Sequence, residues 1–315
     1  MKLPINICPI LSARNSEAYI FAMLTAKGGN HLPFLLSRYI SIAAYDDVKR
    51  MGNVIGYNNN YVDYYFWISG KLQLDTVRLP NYAVINDLSI SIIKALMDDG
   101  EYVIGIWNEQ KIPGKMAYQK QYMAADFLLF GYDDEKQVFF SIGWIQGEFK
   151  EFSISYSNVE KALYLNLPLM HLLWGVRIAD KHMGFHVENV IKELHEFSEA
   201  NGRNNDSCAF GYKAIEYLSV DVRTRQKANG YFDYRELLFL VEYTHLMSMR
   251  IEYMIANGII MQSQLLVAAK REEATANNIC CCADCDFDMV GKAIYDMAQN
   301  LNLLVDGLIK ELEMV

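Results

Sequence analysis

The chain has 315 residues, enough for one large domain or two ordinary ones, and 52% of them are hydrophobic, so a sizeable core is available. A net charge of −9, with no dense cluster of Lys and Arg, argues against a nucleic-acid-binding surface. The most apolar stretch, residues 163–178, is broken by Asn166, Pro168, His171 and Arg177 and is too short to span a membrane.

Residues 1–12 read as extended or irregular because of Pro4 and Pro9, and no small-residue cleavage site follows them, so a cytoplasmic protein is the expectation. Arg14-Asn15-Ser16-Glu17 opens a helix whose apolar residues keep helical spacing until Gly28-Gly29. Asn15 or Ser16 is its expected cap. Residues 33–44 fit helix or strand equally, and residues 57–65, rich in Asn and Tyr, are candidates to line a cleft. Residues 87–97 have helical spacing, 102–107 read as a buried strand, and 108–123 form a polar loop with Pro113 and Gly114.

Residues 124–140 read as a hairpin. Phe127 to Phe130 give a short apolar run, Gly131 and the polar residues 133–136 supply the turn, and Val138-Phe139-Phe140 restarts a β-prone run. Residues 152–156 read as a further strand running into a helix. From about residue 159 the pattern turns helical, with apolar residues three and four apart over 158–165, 187–197, 234–256, 262–276 and 290–312.

The hairpin, with its GYDDE turn, resembles that of papain-like proteins related to the N-terminal domain of butirosin biosynthesis protein H. Members of that family move acyl groups from carrier-protein thioesters to amines, some of them in the thiotemplated assembly of non-ribosomal amides. The resemblance implies an α+β fold, a papain-like cysteine-protease-type domain over residues 1–158 with an appended α-helical half over 159–315. In the family a Cys opens the first long helix and a His precedes the first hairpin strand, in a pattern like H-D-x-L-I-x-G-Y-D. Here Ser16 stands at the nucleophile position and Ala125 at the His position. Ser141 falls where an orienting residue is placed, and Asp126 is carried as a further catalytic candidate. By the same resemblance Asn15, Tyr118 and Tyr122 are expected to contact substrate, and Ile112-Pro113 and Tyr118 match a loop that borders the site.

A helix N-terminus stabilises a thiolate and can hold an oxyanion, whereas a serine there needs a base. Without the base, Ser16 reads as a plain helix cap, and Ser141 as an ordinary strand serine. The resemblance implies an acyl or peptidyl carrier protein with its phosphopantetheine arm as partner and an amine as acceptor. No cofactor and no metal are expected, and a homodimer is left open. Three accounts of the missing Cys and His compete: residues replaced to trap a complex, a pseudoenzyme that binds the carrier or its product, or a protein of another class.

Other constellations are weaker. Cys282 and Cys285 form one C-x-x-C without a second ligand pair, and four of the six cysteines lie too close together to staple distant segments. His182 and His186 are four apart with no Glu after the first. His171, His195 and His245 read as single core or surface histidines, and Cys8 with His31 is a residual dyad candidate.

Overall fold

A computed structural model of the chain describes residues 1–26, 31–47, 52–57, 74–78, 88–163, 173–178, 184–202, 207–227, 233–281 and 286–314. The hairpin takes the form the sequence suggested. Strand β5 (Ala124–Asp133) turns into β6 (Val138–Ile145), and β7 (Glu148–Ser155) pairs with β6 along its whole length. The turn between β5 and β6 uses each polar residue of GYDDE's centre. Asp133 Oδ1 accepts from the Lys136 amide at 3.0 Å, and Asp134 accepts from Lys94 Nζ at 2.7 Å and from the Tyr156 hydroxyl at 2.9 Å. These acids tie the turn to helices on either side of it in sequence. Gly131 is required by a close approach, since a Cβ there would lie 2.5 Å from the Met1 carbonyl oxygen. A bulge at Leu129/Gly131 accompanies it.

This hairpin sits in a six-stranded antiparallel sheet. Besides β5–β7 the sheet holds β3 (Leu74–Arg78), β4 (Tyr102–Asn108) and β8 (Leu173–Ile178), in the order β3-β8-β4-β5-β6-β7. Helix α1 (Asn15–Ala26) packs on β5 and β6. Helices α3 (Ser89–Asp98) and α4 (Tyr156–Leu163) close a core of Ile93, Met97, Trp107, Phe127, Leu129, Phe139 and Val159. Trp107 stacks on Phe127 with ring centroids 4.6 Å apart. Full burial of one such aromatic contributes about 2–3 kcal/mol.

The chain divides into two units, and not at the expected 158/159 boundary. The first comprises Met1–Asn30 and Tyr61–His182, the second His31–Asn60 and Met183–Val315. Residues 173–178 stay with the first unit because β8 is inserted between β3 and β4. Residues 31–60 belong to the second because β1 (Ile42–Asp47) pairs with β2 (Gly52–Tyr57) on one side and β9 (Ser207–Phe210) on the other. The ambiguous run 33–44 is thus both things in turn, a short helix α2 (Leu32–Leu36) and then β1.

The rest of the second unit is helical: α5 (Val187–Ser198), α6 (Tyr212–Lys227), α7 (Arg235–Ala256), α8 (Ser263–Cys281) and α9 (Phe287–Leu312). Helix α9 packs on α5, α6 and α8, and α7 packs on α8. A polar network fixes residues 36–41 within this unit. Fully buried Arg250 donates to the carbonyls of Leu36 and Arg38 at 2.7 Å each, and Glu193 Oε2 accepts from the amides of Ile40 at 3.1 Å and Ser41 at 3.4 Å. Burial pushes the Glu193 carboxyl up, against the opposing pull of the Ile40 amide, Arg38 and Arg250. The fold class is therefore mixed α+β with antiparallel sheets. No helix among the described residues is long and apolar enough to cross a membrane.

Candidate functional site

The first turn of α1 carries the candidate nucleophile. Ser16 is partly exposed, and its hydroxyl donates to Glu17 Oε2 at 2.6 Å. Glu17 itself is buried, 2% exposed, which is unusual for a carboxylate and marks a built position. Beside it, Asn15 Oδ1 is buried and accepts no hydrogen bond among the described residues.

Tyr19, one turn on, joins the helix to the sheet. The β5–β6 ladder stops at the Leu128↔Ile142 pair, so the strands part towards Ala124 and Ile145. The Tyr19 hydroxyl occupies that parting and donates to the Asp126 carbonyl at 3.2 Å. Gly143 makes room for it: a Cβ there would meet the Tyr19 hydroxyl at 3.2 Å and Lys115 Nζ at 3.6 Å, and its φ of +150° disfavours other residues. Burial, then the charges of Asp126 and Glu109, push the Tyr19 phenol well above its ordinary value, so it stays a donor.

Strand alternation decides what β5 presents. Ala125 lies opposite Trp107, and Phe127 stacks on that same ring, so Ala125, Trp107 and Phe127 share a face. Asp126 is on the other face. It is Asp126 that is coupled to α1: burial and then the Glu17 charge raise its carboxyl to about 7, although the residue keeps partial exposure. The helix therefore addresses the strand through Asp126, one residue beyond the expected base position.

The loop between β4 and β5 contributes a buried ion pair. Lys115 Nζ lies 3.0 Å from Glu109 Oε1, with both side chains nearly inaccessible, and 5.4 Å from the Phe152 ring centroid. Asn108 Oδ1 closes the loop by accepting from the Gln110 and Met123 amides at 3.0 and 3.2 Å. Of the other expected site residues, Ser141 is fully buried and donates to the Leu128 carbonyl at 2.8 Å, so its hydroxyl is committed to the sheet. Tyr118 is partly buried and its hydroxyl accepts from Gln119 Nε2 at 3.1 Å, while Tyr122 is exposed.

No described residue of the first unit is a histidine. Cys8 is an exposed free thiol of that unit, and His31 belongs to the second. In the second unit His195 lies 2.9 Å from Glu313 and His245 2.7 Å from Glu273, surface pairings of the kind expected for single histidines. His171, His182, Cys282 and Cys285, and most of residues 57–65, lie outside the described residues. Among the described residues no group of three or more His, Cys, Asp and Glu is placed to hold a metal ion. Sequence reasoning passed over Glu17, Tyr19, Glu109, Lys115 and Gly143. The one signal available was Glu17, a lone charge heading an otherwise apolar helix. A scan against protein-family models and a search of curated proteins each return no match.

Proposed function

We propose that the chain is an acyltransferase-like protein of natural-product biosynthesis, papain-like in its first unit. In this reading it receives an acyl or peptidyl group from a carrier-protein thioester, for transfer to an amine. The observation that supports the reading is the joint between α1 and the hairpin: the helix whose first turn bears Ser16 is tied to the start of β5 by the Tyr19 hydroxyl, which donates to the Asp126 carbonyl. The resembled family likewise carries its nucleophile at the start of a helix and its base on such a hairpin, and that likeness is what supports the reading. The thiol–imidazole chemistry of that family is not available to Ser16 and Ala125, so any covalent step uses other groups.

Calorimetry tests the reading with a carrier protein bearing an acetylated phosphopantetheine arm, and with the same carrier bearing the free thiol. The acylated carrier is expected to bind the more tightly, and Ser16→Trp, which fills the helix start, is expected to abolish the difference. Equal affinity for the two carrier forms, or no binding to either, overturns the reading.

A further inference from the structure

We propose that β7 is a dimerisation edge, to which a second copy of the chain adds its own β7, antiparallel about a twofold axis. Strand β7 ends the six-stranded sheet and pairs with β6 alone among the described residues. Which of its backbone groups face outward follows from the turn before it. Gln146 and Gly147 have φ of +53° and +81°, the two positive values of a tight hairpin turn, and such a turn makes Ile145 and Glu148 a hydrogen-bonded pair. At the far end the Tyr156 amide donates to the Gln137 carbonyl at 2.9 Å, the bond that the same alternation demands. Glu148, Lys150, Phe152 and Ile154 therefore bond to β6, and Phe149, Glu151 and Ser153 turn their amides and carbonyls to the open edge. None of these three has another backbone partner among the described residues.

An edge is ordinarily kept from pairing by proline, a bulge, a short length or charged side chains. Strand β7 runs eight residues, holds no proline and keeps an unbroken register with β6. Its charges are each matched: Lys150 Nζ lies 2.6 Å from Glu148 Oε2 on the strand itself, and Glu151 is paired with Lys2. The edge is thus neutral within a chain of net charge −9, so two copies meet there without net repulsion. Phe149 and Phe152 are left only partly buried along it.

Self-complementarity selects the register. Outward residues must face outward residues, so only Phe149, Glu151, Ser153 and Ser155 can form the hydrogen-bonded pairs between copies. An axis at Lys150 sets two lysines face to face, and an axis at Glu151 sets two glutamates face to face, both destabilising. An axis at Phe152 is the longest register that avoids like charges. It sets Glu151 opposite Ser153 of the second copy, where a hydroxyl donates to a carboxylate, and Phe149 opposite Ser155 of the second copy. It also brings Phe152 against its own counterpart, a stabilising aromatic cross-strand pair. None of this rests on the function proposed above.

The experiment uses the full chain. Sedimentation velocity over a wide range of protein concentration is expected to show a reversible monomer–dimer equilibrium. Hydrogen exchange resolved to single amides is expected to slow at Glu151 and Ser153 as the dimer forms. Replacements at Ser153, an exposed residue, then read the edge and its register. Ser153→Pro removes an outward donor and no bond to β6, and is expected to leave a monomer. Ser153→Lys meets Glu151 of the second copy and lowers the dissociation constant, whereas Ser153→Glu repels it and raises the constant, each by roughly tenfold. Tryptophan emission establishes that the first unit is folded in each variant. A monomer at every concentration overturns the proposal, as do Glu151 and Ser153 amides already protected in the monomer, which would mean that the chain covers the edge itself. A dimer that folded Ser153→Pro retains, or a shift of the same sign in Ser153→Lys and Ser153→Glu, overturns it equally. The Ser153→Lys and Ser153→Glu comparison decides the matter even if Ser153→Pro fails to fold.

Discussion

Replacing Asp126 by Asn tests the electrostatics of the joint between α1 and β5 directly. In the folded protein this carboxyl is raised from 3.8 to about 7, first by burial and then by Glu17. Asp126 thus holds its proton more tightly folded than unfolded. The stability linked to it is full below pH 3.8 and is lost as the pH rises through about 7. At 1.36 kcal/mol per tenfold change in proton affinity the loss approaches about 4 kcal/mol, and partial exposure of the residue reduces it to about 2–4 kcal/mol. Asn carries no such charge and leaves the backbone carbonyl that Tyr19 binds. Wild type and Asp126→Asn should therefore be equally stable near pH 4, and the variant should gain by about 2–4 kcal/mol at pH 8. All four tryptophans, at 67, 107, 144 and 174, fall in the chain segments of the first unit, so their emission during urea unfolding reports that unit alone. Parallel stability profiles for the two proteins between pH 4.5 and 8 would refute the reasoning.

Two further outcomes follow from buried charges. Lys115→Met strands Glu109 in a dry place and should cost about 3–5 kcal/mol by the same fluorescence assay, whereas Glu109→Gln combined with Lys115→Met should cost clearly less; equal losses would mean the pair is not coupled. Arg250→Met removes the donors from the carbonyls of Leu36 and Arg38, and hydrogen exchange of the 36–41 amides should quicken while exchange in the first unit is unchanged. Unaltered protection of the Ile40 and Ser41 amides would show that Glu193 holds them without Arg250.

The hairpin was legible because three signals agreed there: apolar runs of strand length, a Gly, and a turn made of acids and Lys. The start of α1 and the long helices of the second unit were legible for a similar reason, their spacing being local information. What stayed hidden depends on pairing at a distance. That β8 inserts between β3 and β4, or that residues 42–47 pair with 207–210, is not encoded in any local period. At the site, a family-like frame pointed to Ala125. Alternation against Trp107 moves attention by one residue, and a shift of one in a strand exchanges the faces. Counting parity from Phe127, a plainly buried residue, already separates Ala125 from Asp126. Without the partner strand, parity cannot say which face meets a helix. Lys115 and Glu109 were unreadable for another reason: six residues apart in a polar loop, they look like solvated charges until the loop closes on Asn108.

The alternating assignment of the chain to its two units has a consequence for synthesis. When residue 182 has been made, the first unit has every strand it needs, yet residues 31–60 emerged early and their partner strand at 207–210 does not exist. During that interval β1 has its partner β2 but is an edge on the side later taken by β9, with open backbone donors and acceptors there. Synthesis from the N-terminus thus makes helix α1 with Ser16 and every strand of the sheet that holds Asp126 before it makes Glu193 and Arg250, the residues that bind the 36–41 backbone.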